Sequence, residues 1–140
     1  MTDADSAENA SGSAHNVVTP LSCALPNRRE NGPKGSGDEW LKIFPRTILH
    51  SAYGSGHSSE QYHCNYGVNE EYEKRFQAAG LCVSARGLQN EPRAVELGGH
   101  RFFVATLFQP QLSSTPEAPH PLLVAFMRAA IRFQESRRQN

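Results

Sequence analysis

The chain has 140 residues, 38% hydrophobic and 20% charged, which is the balance of one modest soluble domain. Its 14 Lys and Arg match its 14 Asp and Glu, so no global field draws in nucleic acid or an anionic membrane, and neither is an expected partner. No apolar run approaches bilayer length, and the start MTDADSAENASGSAH has neither a basic nor an apolar leader region, which points to a cytoplasmic protein.

Residues 1–15 contain no apolar residue larger than Ala after Met1, so ordering them would recover little hydrophobic energy, and a disordered tail is expected there. Val17, Val18, Leu21 and Leu25 suggest a short extended segment. The run 27–38 (NRRENGPKGSGD) has the Gly, Pro, Asn and charge of an exposed loop. WLKIF from Trp40 is strand-like, and TILHSAYG continues it more weakly until Gly54 and Gly56. A helix is predicted over 70–79: Asn69 caps it, Glu70, Glu71 and Glu73 suit its N-terminal dipole, and Gly80 stops it. LCVSAR, RAVEL and FFVATLF follow as three strand-like segments separated by turns. The last, over 102–108, is apolar on both faces except at Thr106, as in a strand covered on both sides. After Pro121 a terminal helix carries the apolar stripe Leu122, Phe126, Ala129 and Phe133. Its Arg128, Arg132, Arg137 and Arg138 read as a solvated helix end that favours the dipole.

Several short motifs occur in a telling order. Tyr66-Gly67-Val68-Asn69 leads into a helix ending in Ala78-Ala79-Gly80-Leu81; Ala94-Val95-Glu96-Leu97 precedes the aromatic segment with Gln109-Pro110-Gln111 at its end; His120-Pro121-Leu122 opens the last helix. In this order they resemble the second half of the class I glutamine amidotransferase domain of CTP synthase. The resemblance covers about residues 40–132, and more weakly 17–25. Tyr62-His63-Cys64-Asn65-Tyr66 and Ala105-Thr106-Leu107-Phe108-Gln109-Pro110 are closer still to a CTP synthase C-terminal-related subfamily. The implied fold is α/β, a partial flavodoxin-like amidotransferase sheet with flanking helices and without the N-terminal half of the domain. The expected organisation is a tail over 1–15 and a truncated amidotransferase-like domain over 16–138.

The resemblance also implies which residues glutaminase chemistry would need: an elbow Cys as nucleophile, a His as base and a Glu to orient it. None of the three cysteines, Cys23, Cys64 and Cys82, lies in a Gly-x-Cys-x-Gly context, and their odd number and scatter suit reduced thiols. Gln109 stands at the His position, and its amide cannot act as a base; Gln111 stands at the Glu position without charge; Asn65 replaces a substrate-holding Arg. Loss of the nucleophile or base alone removes orders of magnitude in rate, so glutaminase activity is not expected.

His57, His63 and Cys64 form the one imidazole and thiol concentration, but no second ligand pair at metal spacing accompanies them, and no metal or cofactor is expected. His63 and Cys64 point to opposite faces of an extended strand and cannot pair with each other. Tyr62 and Tyr66 share a face with Cys64 and read as packing residues. Asn65, Tyr66, Gln109 and Gln111 define the candidate pocket, either remodelled to hold a small ligand by neutral hydrogen bonds or a relic loop. The leading reading is a noncatalytic or accessory subunit in a biosynthetic pathway. The alternative is divergent chemistry on a small substrate, with His63 and Cys64 as the candidate groups; a truncated gene product is a third. A sheet lacking half its strands is expected to self-associate or to take a protein partner that supplies the missing half.

Overall fold

The computed structural model describes residues 3–9, 12–21 and 30–139. Among the described residues eight strands, β1 (Ala4–Ser6), β2 (His15–Pro20), β3 (Gly35–Ile43), β4 (His57–Cys64), β5 (Tyr66–Val68), β6 (Leu81–Arg86), β7 (Pro92–Leu97) and β8 (Val104–Thr106), form two sheets. One is three-stranded in the order β1-β2-β5, the other five-stranded in the order β4-β3-β6-β7-β8. The β1/β2 pair is parallel and every other pair is antiparallel. Beyond β8 the Gln109 N–H donates to Gln61 O of β4 at 2.9 Å, so the large sheet curls until its two outer strands are bridged.

The helices α1 (Ile48–Tyr53), α2 (Glu73–Ala78) and α3 (Pro121–Arg138) pack with the sheets in a mixed α/β fold. Strand β3 alternates as a half-buried strand should, with Glu39, Leu41 and Ile43 inside and Asp38, Trp40 and Lys42 outside. The core gathers Leu41, Ile43, Tyr62, Ala85, Ala94 and Phe108 from the sheet segments around Leu49 of α1 and Leu122 of α3. Asn69 accepts the Glu71 N–H as expected, a 3-10 turn at Glu70–Tyr72 leads into α2, and Gly80 takes φ +86° beyond its end.

Four expectations are corrected. Within the segment read as a disordered tail, β1 pairs with β2, because backbone pairing and Asp5 Oδ1, which accepts from Ser6 N–H and Asn9 Nδ2, do work that apolar side chains do not. The loop-like Gly35–Asp38 stretch belongs to β3; a Cβ at Gly35 would lie 2.8 Å from Cys64 O and 3.0 Å from Leu21 Cδ1, so glycine marks close packing there. TILHSAYG is a helix. Thr47 Oγ1 caps it by accepting His50 N–H at 2.9 Å, Gly54 ends it at φ +65°, and the Glu96 carboxylate of β7 accepts Ile48 N–H at 2.9 and 3.0 Å and Leu49 N–H at 3.4 Å. Finally, only Val104–Thr106 of the 102–108 segment is strand, and it lies at the sheet edge paired with β7 alone. Phe102 packs against Phe126 of α3 and Phe108 against Tyr62, so helix and core cover these aromatics where a second strand was expected to.

Candidate functional site

The end of β4 and the turn into β5 hold the candidate residues 63–66. His63 is exposed and Cys64 half-buried. The Cys64 thiol donates to Tyr66 O at 3.3 Å. Burial pushes the thiol's pKa up, against the smaller downward pull of that hydrogen bond. Asn65 is a brace: its Oδ1 accepts Lys34 N–H at 2.8 Å and its carbonyl accepts Leu21 N–H at 2.8 Å. Gln109 reaches the same turn from beyond β8, its Nε2 donating to His63 O at 3.4 Å. Gln111 lies exposed on a 3-10 turn over Pro110–Leu112.

Cys64 and Tyr66 line a cleft of about 300 Å³ together with Arg93, Ala94, Thr106 and Leu107. His63, Asn65, Gln109 and Gln111 are outside its wall. The structure thus joins Gln109 to the His63 backbone and Cys64 to Tyr66, and no hydrogen bond links the His63 ring to the Cys64 thiol. His57 does not join them: it sits at the opposite end of β4, stacked on Trp40 with ring centroids 5.5 Å apart. Cys23 lies outside the described residues. Among the described residues no group of three or more His, Cys, Asp or Glu is placed to hold a metal ion.

Two buried polar clusters behind this turn were not anticipated. His120 accepts Leu122 N–H on Nδ1 at 3.2 Å, so its proton sits on Nε2, which faces Glu60 Oε2 at 3.1 Å. Tyr53 donates to Glu60 Oε1 at 2.5 Å and Ser58 donates to the same oxygen at 3.1 Å. Burial alone would raise the Glu60 pKa, but the hydrogen bonds from His120, Tyr53 and Ser58 outweigh it and hold the carboxyl below its usual value. One imidazole therefore caps α3 and ties it to β4 and α1.

In the second cluster Arg93 donates from Nε to Glu39 Oε2 at 2.9 Å, pairs with Glu91, and lies over the Tyr62 ring at 5.3 Å. Arg93 and Glu39 are both almost fully buried. Burial pushes the Glu39 carboxyl up despite its partner. A sequence signal for Glu39 existed: it shares the inward parity of Leu41 and Ile43, where a charge demands a partner. For Arg93 and His120 the partners lie 54 and 60 residues away, beyond any local pattern.

No protein-family model matches the chain. It is 37% identical over 122 residues to a CTP synthase of Caldivirga maquilingensis, covering 83% of this chain and 22% of that one. It is 34% identical over 135 residues to a CTP synthase of Archaeoglobus fulgidus, covering 96% and 25%. The solved glutaminase domain of Trypanosoma brucei CTPS with bound acivicin matches with a TM-score of 0.81 and 32% identity, over 94% of this chain and 52% of that one. The chain spans about a quarter of the curated relatives' length and about half of the solved domain. The fold is that of part of a class I glutamine amidotransferase domain. Within that class the chain belongs with the CTP synthases, matching their C-terminal amidotransferase region.

Proposed function

We propose that this is an amidotransferase-like protein without glutaminase activity, acting as a noncatalytic or accessory subunit in a biosynthetic pathway of the cytoplasm. The observation that carries the reading is Gln109. By the motif resemblance it stands where the family carries its catalytic base, and its amide donates to the β4 backbone. A neutral amide accepts no proton near neutral pH, and the neighbouring Gln111 brings no charge to orient a base. The constraint holds wherever a nucleophile would come from, because a thiol on another segment would still need that base.

The alternative reading, divergent chemistry on a small substrate, draws on the cleft beside Cys64. Against it stands the direction of the thiol's shift. A nucleophilic cysteine needs a lowered pKa, and burial raises this one.

The proposed partner is a second copy or a protein that adds a strand beside β8, whose outer edge has no strand partner among the described strands. The activity test is ammonia release from glutamine by the purified chain. Background rates are expected, and release abolished by Cys64→Ser would overturn the proposal.

A further inference from the structure

The chain's zero formal charge conceals one strongly polarised place. The start of α1, the turn at 101–102 and one side of α3 enclose an open cleft of about 610 Å³. Arg46, Arg101, Arg128 and Arg132 all stand in its wall, and no Asp or Glu does. Among the described residues none of these four guanidinium groups has an acidic partner. Arg128 and Arg132, read from sequence as a solvated helix end, are one helical turn apart on the face of α3 that looks into the cleft. Like charges at that spacing repel, so the pairing stabilises nothing by itself.

One of the arginines is held by an aromatic ring, and a second has an unusual backbone conformation. The Arg101 guanidinium lies over the Phe133 ring, 3.8 Å from its centroid, which fixes a flexible side chain and leaves its N–H groups free to turn outward. Arg46 adopts φ +64°, a conformation uncommon outside glycine, asparagine and aspartate, directly ahead of the α1 cap. Between the cations the wall is mixed: Phe102, Ala52, Val124 and Ala125 give it an apolar stretch, and Thr47 and Ser51 stand beside them. Arginine is the side chain suited to bidentate contact with phosphate oxygens, and the volume is that of a small-molecule pocket.

We infer that this cleft binds a phosphorylated organic molecule, its phosphate groups among Arg46, Arg101, Arg128 and Arg132 and its apolar part over Phe102 and Val124. The site is separate from the turn at 63–66 and does not depend on how that turn is read.

The test is calorimetric titration of the full chain at low salt with three probes: sodium tripolyphosphate, phenyl phosphate and inorganic phosphate. Tripolyphosphate is expected to bind one per chain, and Arg128→Gln/Arg132→Gln to weaken it at least tenfold. If that double variant does not fold, Arg101→Gln serves instead and is expected to weaken binding several-fold. Arg137→Gln/Arg138→Gln, on the same helix but outside the cleft, is expected to bind as the parent does. Phenyl phosphate is expected to bind several-fold more tightly than inorganic phosphate. No binding of tripolyphosphate, or equal loss in the two helix double variants, would overturn the site. Equal affinity for phenyl and inorganic phosphate would overturn the organic part of the ligand.

Discussion

Glu39 and Glu60 stand directly opposite each other in the β3/β4 ladder, both with 4% or less of their surface exposed. Two like charges at cross-strand distance would repel, and the fold separates them by turning each to a different partner: Glu39 to Arg93, Glu60 to His120 and Tyr53. The inside of this strand pair is thus a meeting point of two polar networks set in an apolar core.

The Glu60 network gives the protein an acid-sensitive component. Its folded-state pKa lies below the ordinary value, so its contribution is fully present above the unfolded-state pKa, near 4.3 to 4.5, and is lost as pH falls through the folded-state value. Glu60→Gln is expected to destabilise by about 2–3 kcal/mol at pH 7 and by less at pH 3. Melting curves across that range test this, and a penalty that stays constant with pH would contradict it.

Removing Arg93 leaves Glu39 and Glu91 facing each other's charge without compensation, and Glu39 has no solvent to relieve it. Arg93→Met is expected to cost about 3–5 kcal/mol in urea unfolding. Adding Glu39→Gln should recover a measurable part, because the two positions share one network. Additive losses would mean the ion pair is not what links them.

The thiols should differ in reactivity. Cys82 is exposed, whereas Cys64 is half-buried, bonded to Tyr66 O and pushed up in pKa by burial. Alkylation followed by peptide mass analysis at pH 7.5 is expected to label Cys82 at least tenfold faster than Cys64. Faster labelling of Cys64 would reveal an activated thiol and revive the enzymatic alternative.

Self-association along β8 predicts a species larger than the 15.4 kDa monomer at low micromolar concentration. Ala105 is exposed in the middle of that strand, and Ala105→Lys puts a charge where natural edge strands use one to block pairing. Sedimentation of the variant as a monomer, with an unchanged melting temperature, is the expected result. A parent chain that already sediments as a monomer would rule out this interface.

Elements with local signals were legible in the sequence. The cap at Asn69, the acidic first turn and Gly80 located α2, the strand-like run from Trp40 located the second half of β3, and the ordered motifs identified the amidotransferase relationship. What escaped was set by distant residues. Over 102–108, hydrophobicity was visible, but whether Phe102 meets a strand or a helix depends on Phe126, 24 positions on. The candidate residues could be named from the sequence, whereas their geometry, with Gln109 bound to the His63 carbonyl and Asn65 bracing Lys34, rests on contacts that spacing does not encode.

Helix α1 has six residues, far below the roughly 12–15 at which an isolated helix becomes even marginal in water. Its first N–H groups are satisfied by Glu96, 48 residues downstream of Ile48. During synthesis α1 therefore waits: Ile48 to Tyr53 leave the ribosome without the carboxylate that holds their first turn, and the helix is completed only after β7 has emerged. A peptide covering residues 44–56 should accordingly give a coil spectrum, and in refolding the α1 amides should gain hydrogen-exchange protection no earlier than those of β7.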